Sequence, residues 1–272
     1  MSGLAAEAFP EDLPAFLRTP AAVAEIAVLG REFDRSKGSG NPHDAERDAG
    51  HFVHLDDDGL VGGVLALEAL PLTREAYNAA LSAKGKTQYK TGYLPYAIVD
   101  GWQKLVKDFG YWRAASVGAK TAAIAADRAW FDADRQRREV IIIRDLGVWT
   151  HCAGDASQPM HVSVHVNGWG AYPNPQGFSH SRTLRLDYQS SFVCARINRA
   201  DVKREVVPYR ACTCTIRDRM RAVILDSHRS VVPFLELEKL GAFTGDAKAG
   251  IAFTNTRIAS GASSVRDMVV DA

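Results

Sequence analysis

The sequence predicts a mainly α-helical protein built as one domain, and three observations carry that prediction. Apolar residues recur at three- and four-residue intervals over long stretches. Strict alternation of the kind a strand needs is confined to one short segment. No Gly/Ser/Pro-rich linker, internal repeat or low-complexity tract divides residues 1–272, so a single domain is expected.

The helices follow in order. Pro20 to Gly30 reads as a short helix, and Pro71-Leu-Thr73-Arg-Glu75 as the capped start of another. Tyr93 to Ala125 places Leu94, Ile98, Trp102, Leu105, Val106, Phe109 and Trp112 near the 3.6-residue period. Asp127 to Cys152 is polar at its start and apolar over Val140–Trp149, which predicts that its end lies central in the core. Ile216 to Leu240, stopped by Gly241, and Ala249 to Val270 complete the helical set. The strand signal is His161-Val-Ser-Val-His-Val-Asn167, with Val162, Val164 and Val166 expected on one face and His161, Ser163 and His165 on the other. Asn167-Gly168 and the tract from Gly170 to Gly177 are turn-forming. Tyr93, Tyr96, Trp102, Trp112 and Trp149 fit core spacing, whereas Trp169 and Tyr172 lie on that loop and are the candidates for stacking on a substrate. Asp56-Asp-Asp58-Gly59 is read as a solvated turn.

A hydrophobic content of 46% and a charged content of 24% are those of an ordinary soluble globule. The net charge of +1 gives no electrostatic case for a stable nucleic-acid complex or for tight binding to a membrane surface. No apolar run approaches the roughly 18 residues of a membrane span. The first residues lack a basic segment, an apolar core and a cleavage site, so the chain as written is expected to be cytoplasmic, or secreted or periplasmic if its true start lies upstream. Cys152 reads as a small buried hydrophobe. Cys212-Thr-Cys214 with Cys194 offers a disulfide in an oxidising compartment, while the lack of a signal peptide argues for free thiols. Nothing in the pattern fixes an oligomeric state.

The chemistry concentrates in Trp149-Thr-His151-Cys-Ala-Gly-Asp155-Ala-Ser-Gln158-Pro159-Met-His161. His151 and Asp155, four residues apart, share one helix face. Pro159 stops the helix and lets His161 return from the loop beyond. Two imidazoles and a carboxylate suit zinc. A His–Asp ion pair capping a buried helix is the competing reading; the third residue and the apolar setting favour a metal, since buried ionisable groups need partners. Upstream, Asp34 follows a helix in Phe33-Asp34-Arg35, and His51 sits in Gly50-His51-Phe52-Val53.

Taken together, His151-x3-Asp155-x2-Gln158-Pro159-x-His161, with Asp34 and His51 before it, resembles the zinc-dependent phospholipase C and S1/P1 nuclease superfamily. The resemblance implies a multi-helix bundle with long loops around a metal cleft, and hydrolysis of phosphodiesters by zinc. It implies metal ligation by Asp34, His51, His151, Asp155 and His161. Asp155 would bridge two ions and Asp34 would help fix the attacking water, which makes these two the catalytic candidates. The departures are informative. A second zinc needs a His-x3-Asp/Glu pair, and the matching positions hold Arg185 and Gln189. Arginine stays protonated and cannot ligate. A third zinc needs an N-terminal Trp and a nearby His, yet the chain starts at Met1 and its first His is His43. One to two zinc ions are therefore expected rather than three. His54, His165, His180 and Asp187 are the local residues available to rebuild a second site. Arg185 has two readings: a guanidinium that binds substrate phosphate, or a partner in an ion pair with Asp187 or Asp155.

The function expected from this set is metal-dependent hydrolysis of a phosphodiester or small-molecule substrate. The alternatives are a repurposed enzyme with altered chemistry on a small substrate, and a non-catalytic relative keeping one structural zinc, the usual role of a closed four-ligand site.

Overall fold

The protein is described by a computed structural model over residues 1–36 and 47–272. Three short helices open the chain: α1 (Ser2–Glu7), α2 (Pro20–Leu29) and α3 (Glu32–Arg35). The Thr19 hydroxyl accepts from the N–H of Ala22 and caps α2, while Pro20 fills its first turn, where no N–H is needed. α4 (Arg74–Ser82) is capped in the same way by Thr73, as the sequence predicts.

The spine of the molecule is a helical hairpin of α5 (Leu94–Thr121) and α6 (Ala125–Asp155). Its two arms approach closely where Gly101 faces the Trp149 ring, a place with no room for a Cβ. The Trp149 indole N–H donates across the seam to the Ile98 carbonyl at 2.9 Å. α2 and α9 (Lys248–Val270) pack along α6, and α7 (Ile216–Arg229) bridges α5 and α9. The main core runs through Leu17, Ile26, Leu94, Ile98, Leu105, Ile142, Leu146 and Val265. A second, aromatic cluster of Tyr188, Phe192, Phe234 and neighbours joins α8 (Val231–Lys239) to the segment after residue 160.

Three details depart from the sequence reading. The helix expected from Ile216 to Leu240 is two helices, because Pro233 has no N–H to offer the Arg229 carbonyl and its ring crowds that carbonyl. In α6 burial begins only at Ile142; Val140 and Ile141 point to solvent. The segment 161–167 makes isolated bridges, Leu55 with Ser163 and Val166 with Gly168, rather than a strand. Its buried members from Ser163 onward are the polar ones, Ser163 and His165, while Val164 and Val166 are half-exposed. Local hydrogen bonds explain the buried polar side: the Ser163 hydroxyl accepts from the His165 N–H, and His165 Nε2 lies 2.8 Å from Asp57. The two-stranded antiparallel sheet is elsewhere, β1 (Leu60–Val61) with β2 (Leu65–Ala66). Cys212 and Cys214, whose Cα atoms are 5.2 Å apart, form a disulfide, a point the sequence leaves open; Cys152 is buried and Cys194 exposed. Among the described residues, no helix is long and apolar enough to cross a membrane.

Candidate metal centre

α6 ends at Asp155, where Pro159 cannot donate to the Asp155 carbonyl. The Gln158 N–H takes that carbonyl instead at 3.0 Å, and the turn Pro159–His161 follows. His161 is thereby brought alongside the segment of His51. The His161 carbonyl accepts from the Val53 N–H at 2.9 Å, and His161 Nδ1 lies 2.7 Å from the His51 carbonyl. α3, entered just after α2, carries Asp34 to the same place.

Asp34, His51 and His151 each bring a ligand atom to one point, all within 4.8 Å of one another. Asp155 joins them: its Oδ2 lies 3.1 Å from His51 Nδ1 and 3.4 Å from His151 Nε2. His151 Nδ1 is engaged by the Gly30 carbonyl at 2.7 Å, which leaves Nε2 for the cluster, the arrangement that fixes a metal-binding tautomer. His161 sits beside the group, with Nδ1 3.7 Å from Asp155 Oδ1 and Nε2 turned toward Gln189. His51 Nε2 is buried without a hydrogen-bond partner among the described residues. Nitrogen and carboxylate donors at this spacing are compatible with a metal ion.

The electrostatics are those of a buried carboxylate among imidazoles. Burial pushes the Asp155 carboxyl up, but His161, His151 and His51 outweigh it and hold the group well below the carboxylate range. For His151 burial acts downward and is overridden by Asp155, the Gly30 carbonyl and Asp34, so its pKa rises to about 9. His161, more deeply enclosed, is pulled down by burial despite Asp155.

The cluster forms one wall of a cavity of about 640 Å³. The opposite wall comes from the irregular helix 184–196, which widens into a π turn at Asp187–Phe192. Tyr188 and Phe192, four apart, bury into the aromatic cluster; Arg185 and Gln189, also four apart, line the cavity. Gln189 Nε2 lies 3.4 Å from His161 Nε2. Arg185 makes no ion pair with Asp187 or Asp155: Asp187 accepts from the Thr183 hydroxyl at 2.7 Å and Asp155 is taken by the imidazoles.

No protein-family model, curated protein or solved structure matches the chain.

The remaining sequence candidates fall elsewhere. Trp169 and Tyr172 do not line this cavity. Trp169 is buried, stacked on His165 with ring centroids 3.7 Å apart, and its indole N–H is spent on the Pro173 carbonyl at 3.0 Å. Tyr172 packs edge-on against His165. His165 is committed to Asp57 and His180 to the Trp169 carbonyl and Asn174, so neither can complete a second metal site at His161. His54 does line the cavity, stacked on Phe52, with burial pushing its pKa down to about 4. His43 lies outside the described residues. Residues the sequence reading missed are Asp48, Arg182, Thr183 and Ser190 of the cavity lining. No periodicity marks them, because short irregular segments carry them.

Proposed function

We propose that the chain is a metal-dependent hydrolase of phosphodiester bonds that works with one divalent cation, zinc by the chemistry of its donors. The observation that carries this reading is the convergence of Asp34, His51 and His151 beside Asp155, opposite the Arg185 guanidinium, which has no carboxylate partner among the described residues. The resemblance of the His151–His161 core to the zinc-dependent phospholipase C and S1/P1 nuclease superfamily supports the same reading.

Asp34, His51, His151 and Asp155 would hold the ion. When bound, it would supply Lewis acidity toward water and toward a phosphoryl oxygen. Asp34, with 57% of its side chain exposed, opens to the cavity and is placed to accept a proton from an attacking water. Asp155 holds the imidazoles of His51 and His151 in orientation. Arg185, on the far wall, receives the substrate phosphate through its planar fork and takes over the anchoring that a second cation would provide. Gln189, neutral and facing His161, favours one ion over two.

A structural zinc is the competing reading, since four protein donors close a site. The exposure of Asp34 toward a cavity argues for an accessible ion. The deciding experiment pairs metal content by mass spectrometry with hydrolysis of a chromogenic phosphodiester. One zinc per chain with zinc-dependent turnover that Asp34→Asn abolishes supports the proposal. Bound zinc without turnover supports the structural role, and no zinc overturns both.

A further inference from the structure

The α5–α6 hairpin outruns the body it supports. The last buried residue of α5 is Ala115 and the first of α6 is Ile142; no residue from 116 to 141 is buried. At 1.5 Å per residue, α5 runs roughly 9 Å beyond Ala115 before the turn. This arm ends in a rigid tip. Gly118 lies flat against the Phe131 ring, where a Cβ would not fit. The Arg128 guanidinium closes the turn by donating to the Ala122 and Ala123 carbonyls, at 2.6 and 3.0 Å.

The tip is apolar where it meets solvent. Val117 is 59% exposed, Ile124 62% and Trp130 59%, set among alanines. A helix face near water needs no such residues, and patches of this kind mark contact with something else. Around it stand cations with no carboxylate partner among the described residues: Arg113, one turn before Val117 on α5, Arg137, two turns from Trp130 on α6, and Lys120 in the last turn of α5, whose side chain leans back toward the helix N-terminus. The nearby acids are mostly spent, Asp132 and Glu139 on Arg135 and Asp134 on Arg138; Asp127 sits in the first turn of α6, where the helix dipole favours it. The near-neutral total charge of the chain conceals this local excess.

An apolar tip bearing a tryptophan, with arginines one or two turns behind it and a lysine long enough to reach back from the last turn, matches the layering of a bilayer surface: acyl boundary, then anionic headgroups. We propose that the hairpin tip docks the protein on membranes rich in anionic lipid, with Trp130, Ile124 and Val117 at the acyl boundary and Arg113, Lys120 and Arg137 among the lipid phosphates. The His/Asp group of the candidate metal centre lies at the opposite end of α6, so this contact is independent of the proposed hydrolysis.

Co-sedimentation with phosphatidylcholine vesicles, with and without phosphatidylglycerol, tests it. Binding is expected to the anionic vesicles alone and to weaken with added salt. Trp130→Ala should lower the partition roughly tenfold, for the apolar surface it withdraws. Each of Arg113→Gln, Lys120→Gln and Arg137→Gln should lower it about fivefold. All four sites are exposed, and circular dichroism should show each variant folded. Failure of the parent protein to bind anionic vesicles, or binding indifferent to Trp130→Ala, overturns the proposal. So does concentration-dependent self-association that Trp130→Ala abolishes, which would make the tip an interface between copies of the chain.

Discussion

His51 Nδ1 and Asp155 Oδ2 lie 3.1 Å apart although 104 residues separate them in the chain. The same carboxylate reaches His151 at 3.4 Å and, through its other oxygen, His161 at 3.7 Å. One buried anion therefore orients the imidazoles of the site.

Asp155→Ala should cost the metal-free protein about 3–5 kcal/mol, because it leaves imidazoles enclosed without their shared counter-charge. Asp155→Asn, which keeps the shape, should cost less while still losing metal affinity. Urea denaturation in chelator, followed by zinc titration, separates the two effects.

The metal-free protein should lose stability toward alkaline pH. His151 titrates at about 9 in the fold against 6.5 for an ordinary imidazole, so the folded state holds its proton more tightly than the unfolded state does. That contribution is complete below pH 6.5 and disappears as pH rises through 9. Zinc affinity should move oppositely, rising by about tenfold per pH unit up to that point, since the ion must displace the proton. Denaturation midpoints in chelator and zinc titrations across the same range read both, and His151→Asn should flatten each.

Arg185→Gln should weaken binding of inorganic phosphate by about tenfold, the worth of one charge-assisted hydrogen-bonded pair, with zinc content unchanged. Calorimetric titration of zinc-loaded protein with phosphate measures this. Unaltered phosphate affinity would remove Arg185 from the substrate site.

Replacing Arg185 by His and Gln189 by Glu together should add a second ion per chain. Both positions line the cavity beside His161, whose Nε2 already lies 3.4 Å from Gln189. Elemental analysis of the double variant Arg185→His/Gln189→Glu against the parent decides it.

Much of this was legible in the sequence. The helices over residues 94–121 and 248–270 announce themselves through long periodic runs, and His151 and Asp155 meet because helical spacing alone brings them together. Pattern failed where local bonds outrank hydrophobicity. The alternation at 161–167 places the valines together on one face, yet beyond Val162 the buried residues are Ser163 and His165, because Asp57 and nearby backbone groups satisfy them. Trp169 looked available for stacking because it sits on a turn-rich loop, but the loop folds back over it. The approach of Asp34 and His51 to His151 depends on long-range chain path, which no local spacing encodes.

The reciprocal bonds joining the His51 and His161 segments have a consequence for the order of events in biogenesis. The donors proposed for the ion come from positions 34, 51, 151 and 155, so no short fragment of the chain presents them together. Partly synthesised chains would have little to offer an ion until α6 is complete and the loop beyond Pro159 has settled. Loading would then be a late step and would act as a checkpoint on correct assembly, in contrast to small zinc modules whose ion nucleates the fold.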